Sequence, residues 1–240
     1  MSSIGQMNET GLHEQLKHLY ADGAPTECEV DGFVVDVLRD GEIVEIQTRN
    51  FGALRNKITR LAATHRVRIV HPIASRTVIE KSDGNGAVVS RRKSPKRGAI
   101  VDAFREITTI ADLLPSRRIV VEIVLVEIVE ERVNDGRGSW RRRGVSIAGR
   151  HLEQVVKEHR FATASDYLAV LPKDLTEPFT NSDLAEAMKL PYRTVQPVTS
   201  ALRKMGLITI AGKHGRRLTY TRTPRRRSNR KAPRRTTSSS

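Results

Sequence analysis

Residues 29–48, EVDGFVVDVLRDGEIVEIQT, constrain the chain most. Two apolar, β-branched runs, 30–38 and 43–48, flank Arg39-Asp40-Gly41. Asp-Gly between such runs is the strongest short-range signal for a β-hairpin. The hairpin also carries acids. Asp31 lies early in the first run, while Glu45 and Gln47 stand two apart in the second and so share a face. Oxygen donors on adjacent strands suit a hard divalent cation such as Mg²⁺. Asp31 and Asp36 fall on opposite faces, so only one of them can join Glu45. Asp31 is preferred because its separation from Glu45 suits two strands plus a turn; Asp36 then ends the buried stretch near the turn. The plain alternative is an edge hairpin decorated with charge.

The 240 residues allow one large domain or two small ones. Aromatic residues make up 4% of the chain, so its core is built mostly from Val, Ile and Leu. The single cysteine, Cys28, excludes an internal disulfide framework and a cysteine-based metal centre. No apolar run is long enough to span a bilayer, and the first thirty residues lack a signal-peptide pattern. The expectation is a soluble, cytoplasmic protein with no membrane partner. Net charge is +15, and seven arginines and lysines with no acid crowd residues 224–235. A partner of dense negative charge follows, and nucleic acid is the commonest; a solubilising tail is the alternative.

Along the chain, residues 1–9 are polar and expected to be disordered. Leu12, Leu16 and Leu19 mark a helix over 11–20, with Glu14 off the apolar stripe. After the hairpin, Leu54, Ile58 and Leu61 mark a helix over 51–65, and a strand follows over 67–73, ended near Pro72, with one more short strand over 77–81. The order predicts an α/β fold with a mixed sheet over residues 10–81. Residues 82–98, rich in Gly, Ser and basic side chains, read as a basic linker and a boundary. A connecting region spans 99–172: a helix over 100–114, a long strand over 119–133, a return strand over 140–145, then helices over 147–159 and 164–171. The return strand carries Trp140, Arg141, Arg142 and Arg143, which suit a phosphate backbone or, equally, a guarded sheet edge.

Asp31 and Glu45-Ile46-Gln47, set on successive strands between two helices, resemble the core of the PD-(D/E)XK, or restriction-endonuclease-like, nucleases. The resemblance covers residues 10–81. It implies Asp31, Glu45 and Glu14 as metal ligands, Mg²⁺ as cofactor and DNA as substrate. Gln47 stands where that family has Lys, and Lys57 on the following helix is the candidate for the missing charge.

Residues 173–223 carry a second pattern. Thr180 caps a helix over 182–188, a short turn leads to a helix over 192–205, and Gly206 closes it. A β-hairpin follows, with strands over 207–211 and 216–222. This α+β segment resembles a winged helix-turn-helix. The resemblance implies that Tyr192, Arg193, Thr194 and Gln196 face DNA, and that Lys213, His214, Arg216 and Arg217 of the wing touch phosphates. Pro197 removes a donor within the second turn and predicts a kink.

Three functions compete at this stage. One is a metal-dependent DNA endonuclease with Asp31, Glu45, Gln47 and Lys57 as its catalytic set. Another is a non-catalytic, regulatory DNA-binding protein on a degenerate nuclease fold. The third is a module that binds RNA or protein. A homodimer is compatible with either resemblance. Removing residues 224–240 is expected to weaken nonspecific DNA binding and to flatten its salt dependence by about 0.9 per lost phosphate contact. Gel retardation over a salt series reads this, with an unchanged melting temperature as the control.

Overall fold

The computed structural model describes residues 10–83, 86–138, 140 and 144–224. Arg141, Arg142, Arg143, residues 1–9 and the tail from 225 onward lie outside the described residues, and so do the expectations made for them. The chain opens with helix α1 (Thr10–Ala21), then strands β1 (Thr26–Val30), β2 (Phe33–Arg39) and β3 (Glu42–Ile46). Next come helix α2 (Phe51–Leu61) and strands β4 (Arg66–Ser82) and β5 (Val88–Lys93). A compound turn then carries the short helix α3 (Phe104–Ile107). It leads to β6 (Ile119–Asn134), β7 (Val145–Phe161) and the short helix α4 (Ala164–Leu168). The last elements are α5 (Asn181–Met188), α6 (Tyr192–Lys204), β8 (Ile208–His214) and β9 (Arg217–Arg222).

One mixed sheet organises the chain, in the order β1-β2-β3-β4-β6-β7. Strands β1, β2 and β3 form an antiparallel meander. Strand β4 runs parallel to β3 on one side and to β6 on the other, and β7 returns antiparallel to β6. Strand β3 covers one edge of β4 only as far as the Ile46–Val70 pair. Strand β5 takes up β4 again only from Val78. Pro72 sits in that gap. The Gln47 amide donates to the Val70 carbonyl, so two residues on, the missing donor of Pro72 points to an edge with no strand beside it. A strand expected to stop at Pro72 therefore runs on to Ser82.

The two faces of the sheet bury separate cores. Leu12 and Leu16 of α1 pack on Val37, Val44, Ile46, Val70, Val124 and Val126. On the other face Phe51, Ile58 and Leu61 of α2 join Ile43, Ile69, Phe104, Ile107, Val121 and Phe161. That second core continues without a break into Leu184, Val195, Val198 and Leu202 of the C-terminal helices. Lys204 Nζ donates to the Thr108 carbonyl at 3.0 Å, and Thr108 Oγ1 donates to the Pro197 carbonyl at 3.0 Å.

Four further sequence expectations need correction. The single strand over 30–38 is two strands, because Val30 pairs directly with Phe33 across a two-residue loop, Asp31-Gly32. Both loop residues have positive φ, 50° and 77°. Asp40-Gly41, at 51° and 72°, repeats the arrangement between Arg39 and Glu42. Positive φ at both central positions defines the turn whose twist matches a hairpin. Asp31 is thus a turn residue.

The helix expected over 147–159 is strand β7, paired along its length with β6. Its register slips three times, which leaves Val156, Glu153 and Ala148 as bulged extra residues. Each bulge resets the two-residue alternation, so no strand period survives in the sequence. The boundary expected at 82–98 also disappears: the segment contains β5, and β6 and β7 belong to the same sheet as β1–β4. The helix over 100–114 shrinks to α3 between two 3₁₀ turns. In the C-terminal part Thr180 caps α5 as expected, its hydroxyl accepting from Ser182 and Asp183 N–H. Helix α6 runs through Pro197, Gly206 has φ 71°, and β8 pairs with β9.

The continuous core makes the sheet and the C-terminal helices one cooperative unit. Phe104 is fully buried at their junction, with its ring edge-on to Phe161 at 5.7 Å. Phe104→Ala is expected to cost about 3–5 kcal/mol. Denaturant unfolding followed by circular dichroism should show this within a single transition; a separate transition for the C-terminal part would contradict the shared core.

Candidate active site and adjoining basic cleft

The acids converge where β2 and β3 part. Val37 pairs with Val44, so the same register continued by one residue sets Asp36 across from Glu45. There the Ile46 N–H donates to the Asp36 carboxylate at 2.7 Å. Glu45 is buried, 3% exposed. Its carboxylate lies 2.6 Å from Lys57 Nζ, which α2 delivers, and the same ammonium donates to the Val34 carbonyl at 2.6 Å. From α1, His13 Nε2 reaches Asp36 at 3.4 Å and Nδ1 reaches Glu14 at 3.5 Å. Lys17 closes the rim by bridging Glu14 at 2.7 Å and Glu27 at 2.8 Å.

Of the expected set, the structure brings Glu45 and Lys57 together and places Glu14 one neighbour away, through His13. Asp31 is elsewhere: it meets His65 Nε2 at 3.0 Å and Thr64 Oγ1 at 3.3 Å at the far turn. Asp36 holds the position assigned to it. The side-chain amide of Gln47 donates to the Arg49 carbonyl and so points away from the acids. Among the described residues no three His, Cys, Asp or Glu side chains converge as metal ligands.

The electrostatics follow from burial. Desolvation pushes the Glu45 carboxyl up to about 7; Lys57 opposes the shift and the nearby Asp36 charge adds to it. Burial acts on Asp36 in the same upward direction, but hydrogen bonds from His13 and the Ile46 amide outweigh it and hold the group below its ordinary value. The hydrogen bond with Asp36 raises His13 against its own burial. Asp36 is thus held ionised beside a second carboxyl that titrates near pH 7.

Next to this cluster lies a cleft of about 740 Å³ along the uncovered edge of β4. Leu12, Thr48 and Arg49 connect it with the acid cluster, and Arg193, Thr194 and Pro197 of α6 form part of its wall. Six basic side chains line it (Arg49, Lys96, Arg105, Arg132, Arg150 and Arg193) against three acids. Buried His71 also lines it, with Nδ1 2.6 Å from the Gln47 carbonyl and its ring edge-on to Phe51. Tyr192 and Gln196 are exposed on a different stripe of α6. Lys213, His214, Arg216 and Arg217 are all exposed around the β8–β9 turn. A second cleft, about 1020 Å³, has matched charge: Arg39, Arg66, Arg68 and Arg160 against Asp40, Glu42, Glu122 and Glu158. In it fully buried Glu122 accepts from Tyr20 and Arg160, which ties the end of α1 to β6 and β7.

Residues 10–162 match the family described as "Domain of unknown function (DUF8091)", over the whole sheet and across the expected boundary at 82–98. The chain belongs to this family. An uncharacterised protein of Treponema pallidum (strain Nichols) is 32% identical over 224 residues, which cover 92% of this chain and 88% of the relative. The likeness therefore extends past the family match into the C-terminal helices. No solved structure matches the chain. No helix among the described residues is long and apolar enough to cross a membrane.

Sequence reasoning missed Asp36 and His13 as site residues. The Asp31-Gly32 dipeptide was the available signal, since the rule that located Asp40-Gly41 also applies there. Because the folded Glu45 carboxyl is raised, its protonation stabilises the fold fully below the unfolded value near 4.5, and this contribution is lost as pH rises through about 7. Glu45→Gln removes that loss. Its melting temperature relative to the parent is expected to rise steadily between pH 5 and 8, by the equivalent of a few kcal/mol. A pH-independent difference would contradict the placement of Glu45.

Proposed function

We propose that the protein is a metal-dependent phosphodiester hydrolase acting on DNA, with Asp36 and Glu45 as its acids. The observation that carries this reading is the Asp36–Glu45 pair, set opposite one another on adjacent strands with Lys57 from α2 between oxygens. Lys57 Nζ rests on the Glu45 carboxylate and the Val34 carbonyl, so the chain already builds an oxygen-lined place for a positive charge. Hard oxygens from two carboxylates and a carbonyl suit Mg²⁺, which completes its shell with water and phosphate oxygens. Such an ion would activate a water and neutralise phosphoryl charge.

The chain's own groups do the rest. His13 and the Ile46 amide keep Asp36 ionised. Lys57 neutralises Glu45 while no divalent ion is bound, and beside a phosphodiester it would offset developing charge. Gln47 acts through its backbone, placing the carbonyl that orients His71. The helix–turn–helix with its β-hairpin resembles a winged helix, and the exposed cations at the hairpin tip support a role in holding DNA phosphates. The assignment of the PD-(D/E)XK family rests on the element order and on Asp36, Glu45 and Lys57.

A second reading is a DNA-binding protein without catalysis. The Lys57–Glu45 ion pair favours it, because a divalent ion must displace that ammonium. Plasmid nicking with Mg²⁺ or Mn²⁺ separates the two. Asp36→Asn and Glu45→Ala are each expected to lower nicking by at least about 100-fold, with duplex binding retained, while Asp31→Asn nicks like the parent. No metal-dependent nicking by the parent would leave the binding reading; loss in Asp31→Asn would restore the residue set first expected.

A further inference from the structure

The basic cleft contains none of Asp36, Glu45 and Lys57. It exists because no strand pairs with one edge of β4 between its pairing with β3 and its pairing with β5, where the edge is met by the Gly98 amide on the Ala74 carbonyl at 2.9 Å. Among the described residues the side chains of Lys96, Arg105 and Arg193 have no partner. The cleft's acids are all engaged: Asp102 accepts the Ala99 amide at 2.9 Å, Glu106 accepts the Phe51 amide at 3.1 Å, and Glu130 bridges Arg132 and Arg150. The unspent charge is therefore positive and comes from three separate segments.

The floor adds direction. A carbonyl oxygen only accepts, so the Nδ1 that sits 2.6 Å from the Gln47 carbonyl carries the ring proton of His71. Burial lowers the His71 pKa and keeps the ring neutral near pH 7. Nε2 is then an acceptor, and it meets no donor among the described residues.

We propose that this cleft binds one unpaired DNA strand, with phosphates on Lys96, Arg105 and Arg193 and an exocyclic amine of a base donating to His71 Nε2. The proposal rests on the DNA-directed reading above. Size selects the single strand. A cleft of about 740 Å³ lies within the range of roughly 300–1,000 Å³ that encloses a small ligand. It admits about one or two nucleotides and no duplex. Helix α6 agrees with this: Arg193 and Thr194 line the cleft wall, while Tyr192 and Gln196 lie on another stripe and stay open to a duplex. An end frayed from a duplex on the outer stripe would enter the cleft beside the acids.

The test is fluorescence anisotropy in EDTA with a labelled oligo(dT) and, separately, a blunt duplex of equal length. Four proteins are compared: the parent, Lys96→Glu/Arg105→Glu, His71→Gln and Asp31→Asn. The charge reversal is expected to weaken oligo(dT) binding at least tenfold and duplex binding less than twofold. Its salt slope on oligo(dT) should fall by roughly 0.7 per phosphate lost. His71→Gln should weaken a mixed-sequence strand more than oligo(dT), because thymine offers no exocyclic amine. Asp31→Asn should bind every probe like the parent.

Equal losses on both probes would make the cleft part of a general basic surface and overturn the proposal. Unchanged oligo(dT) binding by the charge reversal would also overturn it. Duplex binding without strand binding by the parent would sink this proposal and spare the DNA-directed reading. Strand binding in a protein that never nicks plasmid would do the reverse to the hydrolase reading.

Discussion

The parallel pairing of β4 with β6 is the constraint on which the rest of the structure depends. It runs from Val67 opposite Ile119 to Ser82 opposite Val133, with one register shift near Ala74. Parallel strands need both faces covered, and the chain complies: α1 closes one face, while α2, α3 and the C-terminal helices close the other. The two strands run far past the three-strand meander. Beyond β3, the free edge of β4 has to be capped by β5 or left open, and both occur. The acid cluster forms where the meander ends, and the basic cleft forms where the edge is open.

Much of this was legible in the sequence, and the failures have physical causes. Apart from the break at Asp31-Gly32, the order of helices and strands up to β4 was readable, because the Asp40-Gly41 turn and two leucine stripes punctuate it. The C-terminal helix pair was readable because Thr180 and Gly206 mark its ends. Strand β7 was not, because three bulges erase its alternation and leave a string of charges that mimics a helical face. The link between β4 and β6 was hidden too: residues 82–98 carry the Gly, Ser and basic content of a linker although β5 lies inside them. Nothing local announces a strand that is held by a partner dozens of residues away.

The candidate site shows the same division. Glu45 and Lys57 were identifiable from strand and helix position, and they meet at 2.6 Å. Asp31 was misplaced by one turn. With Asp31 and Gly32 at positive φ the strand restarts at Phe33, and Asp36 instead stands across from Glu45. Charges pack here under strain: Glu45 is desolvated and raised to about 7, while Asp36 beside it is held ionised. A group in that state gains from any cation that joins it. Lys57 supplies one from within the chain, and the proposed function follows from exchanging that ammonium for a divalent ion.

The most direct test of the central claim is to see where a divalent ion binds. In a ¹⁵N-labelled sample titrated with Mn²⁺, paramagnetic broadening is expected to centre on the amides of Asp36, Val37, Glu45 and Ile46. It should vanish in Asp36→Asn/Glu45→Gln. Broadening centred on the Asp31–His65 turn, or spread over the acidic surface with no centre, would contradict the account.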